Sequence, residues 1–343
     1  MVKMVDVAKH AGVSVKTVSR VMNNELHVSE ALRSRVFKSV EELGYIPSTS
    51  ARNLRSNRTY ALHLIVHSQN SNYVNAVQAG ALIACQKLGY NLLWAFLDPE
   101  LTTKPDLFDK WCSELSREKN PDGIILVPPY SNNEKINACL DRYNIPIVRI
   151  GPNSIEDGNI TLSIDEEKAA HTATRHLIEL GHRRIAFIRG FENQRATHER
   201  FNGYRAALKE AGIEYDESIV LPGEFSFRSG MIAGETIIKM KNRPTAVFAA
   251  NDDMAAGMIV AGHRNQVKMP EEISVVGFDD SKMAGYIWPS LTAISQPRFK
   301  LGERAVELLV KRSSQNGKTS NNKLQRELLD YELIVRDSTG PAQ

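Results

Sequence analysis

Lys16, Arg20 and Asn23 recur at i, i+4 and i+7, beside Thr17, on the polar side of a short helix whose other side carries Val18, Val21 and Met22. Long cationic donors, a hydroxyl and an amide on one helix face suit the DNA major groove, where donors reach base edges and hydroxyls hold phosphates. A solvated helix face has the same pattern, so spacing alone leaves both readings open. Asp252-Asp253 and Asp279-Asp280 are carboxylate pairs of the kind used in general acid–base catalysis. Neighbours in sequence at a strand end point different ways, however. No Gly-x-Gly-x-x-Gly, P-loop or Gly-x-Ser-x-Gly stretch accompanies them. A hydrolase or oxidoreductase is therefore the weaker reading, and no catalytic residue is assigned. Cys85, Cys112 and Cys139 lie far apart without flanking histidines, which predicts reduced core thiols rather than a disulfide framework or zinc site. No metal and no cofactor are expected.

The elements that must hold these residues fall into two groups. A helix over Asp6–Ala11 is stopped by Gly12, and Ser14 caps a second over Val15–Asn23, the spacing of a helix-turn-helix. A third starts after Ser29, with Leu32, Val36, Val40 and Leu43 inward, and ends at Gly44. Residues 1–60 hold 10 Lys and Arg against 5 Asp and Glu, whereas the remainder holds 33 against 35. A basic unit joined to a near-neutral body implies different partners for the two ends. From Tyr60 onward, short apolar strands alternate with amphipathic helices. The strands are Ala61–Val66, Asn91–Phe96, Gly123–Val127, Pro146–Ile150, Arg184–Ile188, Thr245–Ala249 and Ser274–Phe278. Helical stretches include Tyr73–Leu88, Glu166–Leu180, Phe201–Ala211 and Ser229–Lys241, and Ser313–Lys323 reads as an exposed loop. The expected chain is multidomain: a small all-α helix-turn-helix domain, then an α/β body of two doubly wound layers with a cleft between. No apolar run approaches a membrane span, and the N-terminus lacks a secretory pattern. A cytoplasmic protein with no membrane partner is expected.

The run Val5-Asp6-Val7-Ala8-Lys9-His10-Ala11-Gly12-Val13-Ser14-Val15-Lys16-Thr17-Val18-Ser19-Arg20-Val21-Met22-Asn23 resembles the N-terminal signature of the lactose/galactose repressor (LacI/GalR) family. The likeness continues through Val28-Ser29-Glu30, Glu42–Pro47 and Ala51-Arg52-Asn53-Leu54-Arg55. It extends over Gly181–Ile188, Arg200–Tyr204, Ala250–Ala255 and Ser274–Asp280, nearly the whole chain. The resemblance implies that Val15 and Lys16 read base pairs, with Arg20 on the same face. Ser14, Thr17, Ser19, Asn23, His27 and Ser29 would then fix the DNA backbone. It implies a hinge helix at Ser48–Arg55 that orders on the operator, with Ala51 at the DNA and Leu54 wedged into the minor groove to bend the duplex. The domains would be 1–46, a 47–58 hinge and 59–343. One helix-turn-helix makes few base contacts, so a homodimer on a pseudo-palindromic double-stranded operator is expected. No leucine heptad closes the chain, so a tetramer built by such a tail is not expected.

The body resembles the family's effector domain, itself similar to periplasmic sugar-binding proteins. Its lobes would be roughly 60–161 plus 292–325, and 162–291 plus the C-terminal end. Arg200, Asn251 and Asp279 match ligand contacts of the family: a donor fork, an amide and an acceptor that can clamp adjacent hydroxyls. Phe225 matches an aromatic that packs on a sugar ring or a base, and Tyr73 and Gln296 are further candidates. Each has an ordinary alternative: Asp279 as a turn cap, Asn251 as a loop holder, Phe225 as core. Where many members carry Asn-Pro-Phe-Phe, this chain has Ser71-Asn72-Tyr73-Val74, which makes the loop more polar. The expected function is a transcriptional regulator, a repressor of carbohydrate-utilisation genes, controlled by a sugar or sugar derivative. The alternatives are a purine-responsive repressor of the same family and a sugar-binding protein without DNA activity. Inducer release is the favoured direction, although corepressor tightening would use the same parts.

Overall fold

The computed structural model describes residues 2–22, 28–45, 58–66, 72–118, 120–152, 160–314 and 325–343. The chain divides into two compact units, Met1–Thr59 and Tyr60–Gln343. In the first, α1 (Met4–His10), α2 (Val15–Met22) and α3 (Glu30–Glu42) enclose a small core. Val7, Ala8, Ala11, Val18, Val21 and Val36 are buried there, and Tyr45 closes its end. Gly12, at φ +59, turns the chain between α1 and α2, a left-handed conformation that glycine adopts without steric cost. The helix-turn-helix is therefore present as read, with Val40 and Leu43 half-buried at its rim. Asn23 and the hinge over Ser48–Arg55 lie outside the described residues.

The second unit alternates strand and helix in two lobes. The first lobe holds β1 (Ala61–Val66), α4 (Asn72–Leu88), β2 (Asn91–Phe96), α5 (Pro105–Ser113), β3 (Gly123–Leu126), α6 (Glu134–Arg142), β4 (Ile147–Ile150) and β5 (Ile160–Ser163). The second holds α7 (Glu166–Glu179), β6 (Ile185–Ile188), α8 (Arg195–Glu210), β7 (Val220–Leu221), α9 (Phe227–Ile238), β8 (Ala246–Ala249), α10 (Asp252–Arg264), β9 (Ser274–Asp279) and β10 (Thr292–Ser295). The chain then returns for α11 (Arg298–Ser314) and β11 (Gln325–Leu328), and crosses once more to β12 (Glu332–Ile334). The sheets run β11-β5-β4-β3-β1-β2 and β12-β10-β9-β8-β6-β7, parallel except for the β10–β12 pair. Strands covered on both faces are mostly apolar, and β1 has all six residues buried, His63 among them.

Three expectations need correction. Residues 292–295 belong to the second sheet, paired with β9, so the crossover into the first lobe comes after Ser295. α8 starts at Arg195 rather than Phe201, because its first turns are polar and carry no apolar stripe. Cys112 and Cys139 are joined as a disulfide with Cα atoms 6.3 Å apart, since α5 and α6 cover the same side of the first sheet; only Cys85 is a free buried thiol. Ser313 and Ser314 continue α11, and the rest of the expected loop to Lys323 is outside the described residues.

The helices that frame the first lobe are fitted at close range. A Cβ on Gly80 of α4 would stand 1.8 Å from the Phe299 carbonyl oxygen, and one on Gly302 of α11 would stand 1.9 Å from that of Val77. Paired glycines let these two helices cross backbone to backbone. Among the described residues, no helix is long and apolar enough to cross a membrane.

Candidate effector cleft and DNA-reading face

On α2, Ser14 accepts a hydrogen bond from the Thr17 amide at 3.0 Å, the capping contact its position predicts. The two hydroxyls lie 2.9 Å apart. Val18 and Val21 anchor the helix in the core, which turns Val15, Lys16 and Arg20 out to solvent. Ser14 and Ser29 are also exposed, while Thr17 and Ser19 are half-buried. Val15, at the first helical position, is 37% exposed. It can meet a thymine methyl, and the cations beside it can reach base edges. Asn23, His27, Ala51 and Leu54 lie outside the described residues.

Between the lobes lies a cavity of about 300 Å³. Tyr73, Arg200, Phe225, Asn251 and Asp279 all line it, although they are scattered over more than 200 positions of the chain. The topology brings them together: Asp279 ends β9, Asn251 follows β8, Phe225 precedes α9, and Tyr73 is in the first turn of α4. Ligands of open α/β sheets sit at the carboxyl ends of strands for this reason. Gln296 is not on the wall. It is buried behind it and donates to Asp279 Oδ1 at 2.7 Å, so it positions the carboxylate rather than facing the cavity.

Arg200 is the electrostatic centre. Its Nε donates to Glu166 Oε2 at 2.8 Å, its Nη1 donates to the Ala250 carbonyl, and its guanidinium lies 3.7 Å from the centre of the Phe278 ring. Burial alone would lower its pKa, but Glu166 and Asp279 outweigh that and hold it charged. Burial raises the Glu166 carboxyl in spite of Arg200. Asn251 is spent locally: its Oδ1 caps α10 by accepting from the Met254 amide at 3.0 Å, and its Nδ2 donates to the Phe225 carbonyl at 3.1 Å. That is the loop-holding alternative. Phe225 is both core and wall, packed on the second lobe's core with its ring on Gly190 and edge-on to Phe191. Phe225 (φ +51) and Asp279 (φ +117) hold left-handed backbone, strain that accumulates at ligand sites.

Sequence reading missed Glu166, Asn72, Arg195, Asp253 and the first-lobe wall of Thr161, Ser163 and Arg326. Glu166 had a signal, as the first residue of a helix directly after a strand's carboxyl end. Polar contacts among the described residues already span the lobes: Asn72 Nδ2 donates to Asp253 Oδ1 at 3.3 Å, Arg195 Nη1 to the Pro152 carbonyl at 3.5 Å, and Arg298 Nη2 to the Asp280 carbonyl at 2.9 Å.

Asp252 lies just behind the cavity. Its Oδ2 accepts from the Ser281 amide at 2.6 Å, while Oδ1 is buried with no hydrogen bond among the described residues. Burial, and then the Asp279 carboxylate, push its pKa up to about 8. Between the ordinary carboxylate range and that value the folded protein binds more protons than the unfolded chain, so stability falls as pH rises through this window. Asp252→Asn should flatten the fall in melting temperature between pH 5 and pH 8. A variant with the wild-type slope would contradict the assignment.

The fold and cleft define a two-lobed ligand-binding protein that carries its own helix-turn-helix. The family model for bacterial regulatory proteins of the lacI family matches residues 3–48, and that for a periplasmic binding protein-like domain matches residues 174–339. The HTH-type transcriptional repressor PurR of Vibrio atlanticus is 37% identical over 318 residues, 91% of this chain and 92% of that protein. The ribose operon repressor of Escherichia coli K12 is 32% identical over 317 residues, covering 92% and 94%. The crystal structure of the lac repressor dimer bound to operator and the anti-inducer ONPF superposes with a TM-score of 0.80 at 26% identity, covering 99% of each chain. The chain belongs to the LacI family: DNA-binding repressors that respond to small-molecule effectors and act as dimers.

Proposed function

We propose that this repressor takes a carbohydrate effector between its lobes and that the cleft works by binding rather than catalysis. The observation that carries the reading is the polar cavity with Asp279 and Arg200 set on one wall and an aromatic ring, Phe225, beside them. Adjacent sugar hydroxyls need such acceptors and donors, and the ring covers the apolar face of a pyranose or furanose. Of the carboxylates that looked catalytic, Asp252 accepts from Ser281, Asp253 from Asn72 and Asp280 from Arg336. A relative named as the ribose operon repressor supports the sugar reading. A purine base is the second reading, favoured by the Phe191–Phe225 edge-to-face pair and by the PurR relatives. Thermal-shift measurements with pentoses, hexoses, hypoxanthine and guanine separate the two. Stabilisation by a sugar alone is expected, and stabilisation by the bases alone would overturn it.

Residues 1–46 form the DNA-reading unit in this proposal, residues 47–58 the hinge and residues 59–343 the effector and dimerisation domain. Val15, Lys16 and Arg20 read bases; Ser14, Thr17, Ser19, Asn23, His27 and Ser29 hold the backbone; Ala51 and Leu54 engage the minor groove. The protein works in the cytoplasm, where its operator lies. Ligand contacts to both lobes add to the Asn72–Asp253 and Arg195–Pro152 bonds and shift the population of closed forms. That shift decides whether paired hinges can fold on DNA, with release by inducer as the expected direction. Tyr286 and Trp288, 82% and 75% exposed on the second lobe, offer apolar surface for the partner protomer.

A further inference from the structure

On the second lobe, the charged groups of the cleft largely satisfy one another. Arg200 is held by Glu166, Arg195 by Glu199 at 2.6 Å, and Asp279 by Gln296. The first lobe is different. Arg149 of β4, Thr161 of β5 and Arg326 of β11 are register partners, so their side chains leave the sheet on the same face. Ser163 follows two residues after Thr161 and shares that face. Thr161 is 2% exposed and lines the cleft, yet its Oγ1 makes no hydrogen bond among the described residues. A buried hydroxyl without a partner carries a desolvation cost that a ligand atom can recover. Arg326 also lines the cleft and is exposed, with no ion pair or hydrogen bond to a described residue.

A guanidinium and two hydroxyls converging on a cavity wall can all donate to the oxygens of an anion. We propose that the effector is an anionic carbohydrate whose carboxylate or phosphate group seats on Thr161, Ser163 and Arg326, with its hydroxyls toward the second lobe. This rests on the carbohydrate reading above. The acidic groups of the cleft do not oppose it: Glu166 and Glu199 are each paired with an arginine. Burial raises the carboxyls of Asp253 and Asp279, which makes negative charge there costly. Glu224 is exposed to solvent.

Matched pairs test this on the full-length protein by calorimetry: D-glucuronate against D-glucose, D-galacturonate against D-galactose, and ribose 5-phosphate against ribose. One anionic member should bind at least tenfold more tightly than its parent, and which arm responds tells carboxylate from phosphate. Arg326→Gln and Thr161→Val should each lower that affinity at least tenfold, toward the neutral parent's. Arg326 is exposed, so its variant tests the charge without disturbing the core. A neutral sugar that binds as tightly as its acid, or an Arg326→Gln protein with undiminished anion affinity, would overturn the anion site and leave the carbohydrate reading standing. Binding of hypoxanthine with none of the sugars would remove both.

Discussion

Arg200→Ala abolishes the response to effector and lowers the unfolding free energy of the body by about 3–5 kcal/mol, the cost of leaving one partner of a buried ion pair alone. The side chains of Arg200 and Glu166 are 6% and 11% exposed, so water cannot screen the orphaned carboxylate. The same substitution frees the Ala250 carbonyl and uncovers the face of the Phe278 ring. Glu166→Gln should cost less, because its amide oxygen still accepts from Nε. Chemical unfolding of Arg200→Met, Glu166→Leu and the variant carrying both gives the coupling between them. A double variant recovering stability, with effector binding still lost, is the expected pattern. Arg200→Ala at wild-type stability would refute the pair as the structural centre of the cleft.

The second large effect is on DNA. Lys16→Ala should weaken operator binding by roughly thirty- to twenty-thousand-fold: a specific base contact is worth about 1–3 kcal/mol, and a dimer carries two copies. The variant should also relax sequence preference at one position of each half-site, with a near-unchanged salt slope. Ser14→Ala should instead cost about 1 kcal/mol of helix stability through loss of its cap on Thr17, and weaken all sequences alike. Anisotropy titrations against operator and scrambled DNA at several salt concentrations measure both. If Lys16→Ala weakened all sequences equally and reduced the salt slope, Lys16 would be a phosphate contact.

The helix-turn-helix was readable because three short helices must spend their few apolar residues on one small core, which leaves a clear polar remainder on α2. Strand β1 was readable for a similar reason, being apolar at every position but His63. β5, β10, β11 and β12 were not: three or four residues, two of them at sheet edges, carry too little pattern. The lobe boundary moved for that reason, since β10 joins the second sheet through hydrogen bonds that leave no mark in residue order. The N-terminal turns of α8 hide their inward residues as Thr197 and Arg200, polar side chains that are buried. Arg200, Asn251 and Asp279 were found by motif, whereas Thr161 and Arg326 became visible only through the register of β5 and β11. Pairing of Cys112 with Cys139 likewise depends on α5 and α6 lying side by side.

The central claim is that occupancy of the cleft sets affinity for DNA. It is tested most directly by titrating operator DNA with the protein, with and without saturating effector, for wild type and Asp279→Ala. The expected result is a change in operator affinity of roughly 5- to 150-fold for wild type, matched by an equal effect of operator on effector affinity, and no change for the variant. Identical operator affinity with and without bound effector, or a full response in Asp279→Ala, would contradict it.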